Sequence, residues 1–166
     1  MAVTPDQFKD VLRFWASGVA IVTTRRQGGI QGITVSSFAS LSLDPPLVLI
    51  CIEKKARSHE AIASQRCFAV NVLGAGQEDL ADRAAARRGV EGSWLLDLEH
   101  RTVVTGAPVL DGSIAWLDCS LAASHPGGDH TIFIGSVEAA GGEGGRPLVW
   151  YDRGYTRLVA RSVRPR

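Results

Sequence analysis

The chain has 166 residues, 45% apolar and 21% charged, with 18 glycines; that is the size of one domain, 1–166, with one core, and it is too apolar for a disordered segment. Eighteen Lys and Arg against seventeen Asp and Glu leave a net charge of +1, so no field exists to hold a polyanion, which argues against nucleic acid. The longest apolar run, Leu47–Ile52, is far below the roughly 20 residues that cross a bilayer, and the start Met1-Ala2-Val3-Thr4-Pro5-Asp6 lacks a secretory signal; the expectation is a soluble, cytoplasmic protein with no membrane role.

Thr4-Pro5-Asp6-Gln7 has the form of a capping box with proline at the first helical position, and Phe8, Val11, Leu12 and Trp15 follow at helical spacing. This predicts an N-terminal helix to about Ser17, stopped by Gly18. Val19–Thr24 is β-branched and short, a strand. Ile30–Val35 is a second, placing Ile33 and Val35 on one face and Thr34 and Ser36 on the other. Asp44-Pro45-Pro46 interrupts the pattern and launches Leu47–Ile52, whose unbroken apolarity predicts a central strand covered on both faces.

Ser58–Ser64 reads as a short helix, Cys67–Leu73 as a strand and Gln77–Arg88 as an Ala-rich helix whose Arg83, Arg87 and Arg88 form a solvated face. Ile114–Ala123 and Thr131–Ala139 alternate as strands around the turn-rich separator 124–129. Gly141-Gly142-Glu143-Gly144-Gly145 reads as a mobile loop and 160–166 as a loose tail. About six strands with short connections and three helices that do not alternate with them favour a mostly β fold, an antiparallel barrel with peripheral helices, over a doubly wound parallel sheet. Cys51, Cys67 and Cys119 are odd in number and sit in apolar stretches, as buried free thiols do.

No nucleophile elbow, P-loop or H-E-x-x-H motif is present, and Gly74-Ala75-Gly76 has Asp79 where a dinucleotide fingerprint needs its third glycine. His125, Asp129 and His130 span turn residues, with no second cluster to complete a metal site. Three constellations remain. The segment Gly32–Ser42 alternates hydroxyls with apolar residues, which suits either a Ser-rich edge strand or the rim of a site for a planar ligand rich in acceptors. Lys54-Lys55-Ala56-Arg57-Ser58-His59 joins a basic run to Ser58 as helix N-cap, either a solvated turn or an anion site of phosphate type. Gly128-Asp129-His130-Thr131 opens a strand with a histidine beside an acid, either a loop pair or a group that orients a ligand near neutral pH.

Taken together, Gly18–Thr24, Gly32–Val48, Phe68–Leu73 and Gly128–Gly135 resemble the short-chain flavin reductases, the small NAD(P)H-dependent components of two-component flavin monooxygenases. The resemblance spans nearly the whole chain in order, and the Ser-rich segment ending in Pro45-Pro46-Leu47-Val48 is its most specific part. It implies a split β-barrel that binds FMN or FAD as a homodimer, takes hydride from NADH or NADPH, and delivers reduced flavin to a separate oxygenase.

Carried over by position, Thr34, Val35, Ser36 and Ser37 match the stretch lining the isoalloxazine, and Ser40 and Ser42 match positions looking toward the ribityl and phosphate. Arg57 and Ser58 match a phosphate-contacting turn, Phe68 and Asn71 a strand bordering the flavin, and His130 a histidine near the nicotinamide, the candidate catalytic residue. Near the C-terminus the Arg153-Gly154 pair is displaced by one residue from the family pattern. Because strand faces alternate, this shift turns Arg153 away from the flavin and Asp152 toward it, with Tyr155 the remaining candidate there. The other readings open to the sequence are a noncatalytic flavin- or haem-binding split barrel and an oxidase of the pyridoxamine-phosphate type.

Overall fold

The computed structural model describes residues 2–27, 29–85 and 97–158. Within them the chain builds a seven-stranded sheet in the order β3 (Gly29–Val35), β2 (Ala20–Arg26), β6 (Cys67–Val72), β9 (Ala115–Gly127), β10 (His130–Gly141), β5 (Pro46–Glu53) and β4 (Ala39–Leu43), numbered along the chain. Every neighbouring pair is antiparallel. The sheet curls until the chain leaving edge strand β3 meets β5. There the Ser37 hydroxyl donates to the Cys51 carbonyl (3.0 Å) and accepts from the Cys51 N–H (3.1 Å). The result is an antiparallel split barrel.

Side chains from alternate positions fill the barrel: Ala20, Val22, Val35, Val48, Ile50, Ile52, Phe68, Val70 and Phe133, closed at one end by Ile62. The opposite face of the same strands contributes Val19, Ile21, Ile30 and Leu73, covered by Ala81 and Ala84 of α3 (Glu78–Ala85) and by Leu110 and Leu148. The strands buried on both faces are therefore β2 and β6, inside the sheet. The Leu47–Ile52 run does not have that place. Strand β5 is next to the edge, with Val48, Ile50 and Ile52 buried but Leu47, Leu49 and Cys51 only half-buried. Apolarity at every position records two apolar faces; which of them the chain covers is decided by the neighbours. Gly135 is required by close approach, since a Cβ there would lie 2.6 Å from the Phe68 ring and 2.9 Å from Cys119.

Strands β9 and β10 are much longer than expected and consume most of the separator: Gly127 pairs with His130 and only Gly128-Asp129 turns. Gly128 sits at φ +67°, the left-handed region a two-residue hairpin turn asks of its first residue. The short strands absent from the sequence reading are two-residue pairs or late hairpins, β7 (His100–Arg101) with β8 (Val109–Leu110), and a small sheet of β1 (Ser17–Gly18), β11 (Leu148–Tyr151) and β12 (Gly154–Arg157).

The capping box at the N-terminus is present: Thr4 and Gln7 exchange side-chain to backbone hydrogen bonds. Helix α1 (Pro5–Leu12) stops before Ser17, however, because Arg13 is its C-cap and Ser17–Gly18 pair with β11 instead. Its apolar stripe of Phe8, Val11, Leu12 and Trp15 faces outward in the single chain, Trp15 being 74% exposed. Its end is tied to the β11–β12 turn by a backbone bond, Asp152 N–H to the Arg13 carbonyl (2.9 Å), and by charge. Arg13 donates to Asp152 (2.5 Å) and Arg153 pairs with Asp10. Asp152 and Arg153, at φ +50° and +64°, form the two-residue turn between β11 and β12, and their side chains pair with Arg13 and Asp10.

Arg87, Arg88, the end of the third predicted helix and the tail 160–166 lie outside the described residues. Among the described residues, no helix is long and apolar enough to cross a membrane. Cys119 is buried in the core, whereas Cys51 and Cys67 are half-buried; all three are free.

Candidate functional site

Between β3 and β5 the curled sheet leaves a cleft of about 690 Å³, inside the size range of small-molecule sites. One wall is the rim Gly32–Ser37, the facing wall is Cys51–Glu53 with His130 at its mouth, the floor is Lys55–Ser58, and Ala84 and Ala85 of α3 close the side. It gathers Thr34, Val35, Ser36, Ser37, Arg57, Ser58 and His130, residues spread over almost a hundred positions of sequence. Strand β3 is a sheet edge, so its outward backbone N–H and C=O groups have no ladder partner and are free to bond a planar ligand.

Most hydroxyls of the cleft already have protein partners. Thr34 donates to the Ala81 carbonyl of α3 (2.7 Å), Ser37 is bonded to Cys51, and Ser58 accepts from Gln31 Nε2 (3.3 Å). Val35 points into the barrel, leaving its backbone to the cleft. Ser36 is exposed and is the hydroxyl of the rim that faces outward. Helix α2 (Arg57–Gln65) begins one residue earlier than expected. Its N-cap is Ala56, which makes no side-chain cap bond, and Ser58 is a buried residue of the first turn. The first-turn amides of α2 therefore lack a serine cap, beside the exposed Arg57 and Lys55, which leaves partial positive charge and full positive charge on the same floor.

His130 stands opposite Glu53 in the β10–β5 ladder and opposite Gly127 in the β10–β9 ladder. Its Nδ1 is 2.7 Å from Asp129 Oδ1, and that bond is the main cause holding the exposed Asp129 carboxyl below the ordinary carboxylate range. An ionised carboxylate only accepts, so Nδ1 carries the proton and Nε2 is the ring's remaining functional atom. The turn beneath is fixed by Lys54, whose N–H donates to the Asp129 carbonyl (2.9 Å) and whose ammonium donates to the Gly128 carbonyl (2.6 Å). Strand β10 is steadied further by His59 Nε2 against Thr131 Oγ1 (2.8 Å).

The remaining sequence-predicted residues lie elsewhere. Phe68 is wholly inside the barrel. Asn71 is 0% exposed, donating to the Ile21 carbonyl (3.0 Å) and Thr23 Oγ1 (2.9 Å) and accepting from Leu110 N–H (2.8 Å). Neither side chain has a free surface to offer a ligand. Ser40 and Ser42 are on β4, at the other edge of the sheet, and do not line the cleft. Tyr155 is behind α3, donating to Asp82 Oδ1 (2.7 Å). Conversely, Glu53, Cys51 and the two α3 alanines, which line the cleft, were not picked from the sequence. Only the register of β5 against β10, and the seat of α3 on β3, bring them there, and neither leaves a local motif.

Residues 12–159 match the family described as flavin reductase like domain. The chain belongs to that family. The reductase subunit HsaB of a flavin-dependent monooxygenase from Mycobacterium tuberculosis is 35% identical over 166 residues, covering 98% of this chain and 87% of that protein. The reductase component of 4-hydroxyphenylacetate 3-monooxygenase from Thermus thermophilus is 39% identical over 155 residues, covering 93% and 97%. Among solved structures, the NADH:FAD oxidoreductase of Streptomyces globisporus, in complex with NAD and FAD fragments, superposes with a TM-score of 0.85 at 33% identity, covering 96% of this chain and 97% of that one.

Proposed function

We propose that this chain, acting as a single domain, is an NAD(P)H-dependent flavin reductase whose cleft binds FMN or FAD as a substrate and passes reduced flavin to a separate oxygenase. The observation that carries the reading is the pairing, in one cleft, of an edge-strand rim with a cationic helix N-terminus and a half-exposed histidine. The donor set fits a flavin nucleotide: rim amides for the acceptor edge of the ring, and Arg57, Lys55 and the α2 amides for phosphate. Bound flavin would supply the hydride-accepting ring atom and nicotinamide the hydride.

The work left to the protein is positioning. Reacting atoms must be held about 3–3.5 Å apart, so rigid walls matter more than an acid or base. The rim from Thr34 to Ser37 holds one edge of the ring and stabilises charge that develops there. His130, with its tautomer fixed by Asp129, orients the nicotinamide through Nε2. Because the hydroxyls of Thr34, Ser37 and Ser58 are engaged within the protein, the anchors are edge amides and exposed cations, which supports a flavin that exchanges rather than one held permanently.

A second copy of the chain is the proposed cover for the half-buried face of β5 together with Leu41 and Leu43, the latter 93% exposed, an apolar surface of the kind that marks an interface. Three free cysteines agree with a reducing, cytoplasmic setting. Anaerobic mixing of the protein with NADH or NADPH and FMN, FAD or riboflavin tests the activity by bleaching of the flavin band. Rapid bleaching with one pair supports it and gives both preferences. Flavin bound without bleaching supports the noncatalytic barrel instead.

A further inference from the structure

Helix α3, like the floor at the start of α2, is a part of the cleft that does not belong to the sheet, and its seat is shallow. The side chains that its described residues bury fully are only the methyl groups of Ala81 and Ala84, with Leu80 partly buried against the same cluster. Two hydrogen bonds reach two consecutive residues of it from two different sheets. Thr34 of β3 donates to the Ala81 carbonyl (2.7 Å) and Tyr155 of β12 donates to the Asp82 carboxylate (2.7 Å). The exposed pair of Arg157 and Glu78, 4.0 Å apart, adds little. One turn further on, Ala84 and Ala85 face the cleft.

We infer that Tyr155 and Thr34 are positioning residues that clamp α3 from two different sheets and so set the width of the cleft and its affinity for the flavin nucleotide, without Tyr155 touching the ligand. This rests on the proposed flavin-binding role of the cleft. The tyrosine ring is held independently of its hydroxyl, edge-on to Trp150 at 5.1 Å between centroids and against the apolar cluster under α3, so removing the oxygen releases the helix without unpacking β12.

Flavin Kd by fluorescence quenching, with kcat and KM for NADH oxidation, are measured on the full chain and on Y155F, D82A, D82N, T34V and Y155F/D82A. The loss of one such bond is expected to raise flavin Kd ~3- to 10-fold in Y155F, D82A and T34V, with kcat at saturation within about two-fold of the parent in Y155F and D82A, which lie outside the cleft lining. The double variant Y155F/D82A should be no weaker than either single one, since both remove the same bond. D82N keeps a carbonyl oxygen for the phenol and should recover most of the affinity lost in D82A. An unchanged Kd in Y155F, an additive double variant, or a fall in kcat at unchanged Kd each overturns the clamp. Parent protein that binds flavin but does not oxidise NADH sinks the reductase reading alone, leaving the Kd comparison to decide the clamp; parent protein that binds no flavin overturns both.

Discussion

Asn71 and His130 are both polar residues on strands of the same sheet, and both resemble flavin-site residues by position, yet the structure gives them opposite circumstances. Asn71 lies on doubly buried β6, its amide satisfied by Ile21, Thr23 and Leu110. Beside it Thr23 donates to the Pro108 carbonyl, so this network sews β2, β6 and the 108–110 segment together. His130 lies at the mouth of a hairpin, its side chain 43% exposed, with one bond to Asp129. A polar side chain whose bonding capacity is filled by the fold is structural; one with an unfilled atom at a cleft is available for chemistry.

The comparison breaks most directly at Asn71. Replacing it with Ala strands the Leu110 N–H in the core, a buried unsatisfied group costing about 1–3 kcal/mol, and removes the donor that Thr23 Oγ1 and the Ile21 carbonyl accept from. Asn71→Ala is expected to lower stability by roughly 2–4 kcal/mol, a fall in Tm of about 5–15 °C for a chain this size, while the folded fraction keeps its flavin affinity. Thermal melts paired with flavin titration check this; unchanged Tm with lost binding would put Asn71 back in the site. The opposite pattern belongs to His130. His130→Ala should shift Tm by under about 2 °C, as exposed substitutions do, and raise KM for NADH or slow anaerobic reduction about ten-fold, of the order of one lost positioning contact. Unchanged reduction kinetics would remove its assigned role.

What could be read from the chain follows the same division. The capping box at Thr4, the alternation of Ile30–Val35 and the hairpin around Gly128 are local, and periodicity and turn chemistry revealed them. The place of Leu47–Ile52 in the sheet was not legible, because an apolar strand reads alike in the middle or beside the edge; what differs is the partner on each side. The rim, Arg57 and His130 could be nominated, but not their separation from Phe68 and Asn71. Strand alternation assigns a side chain to a face, and only curling of the sheet decides whether that face lines the cleft or the barrel interior. The partners of Thr34 and Tyr155 on α3 are 47 and 73 residues away, and no spacing rule reaches that far.

Arg57 sharpens the comparison within the cleft itself, separating the charged floor from the rim. Arg57→Ala is expected to weaken FMN ~3- to 10-fold at low salt and less as ionic strength rises, because an exposed cation acts on phosphate through solvent. Riboflavin, which has no phosphate, should bind the variant and the parent alike. Equal weakening of both ligands in titrations would place Arg57 against the ring and not the phosphate.

The smallest effect concerns the group that bridges the two regions, the Tyr155 phenol, which is part of the packing under α3 and yet partly solvated. Burial first, and then the Asp82 and Glu78 carboxylates, push it up from 10.0 to about 12; of the charged neighbours, Arg157, on the same strand, faces Glu78. Raising the folded value means the native state favours the protonated phenol. Its contribution to stability is therefore complete below about pH 10 and is lost as pH climbs toward 12. The Tyr155→Phe variant lacks that contribution at every pH, while other alkaline titrations, Cys119 included, act on both proteins. The gap in denaturant midpoint between parent and variant should then hold constant from neutral pH to about 10 and close by about 12. A gap that stays unchanged up to about pH 12 would mean the phenol ionises alike in the folded and unfolded chain and does not hold Asp82, and the clamp on this wall of the cleft would lose its Tyr155 half.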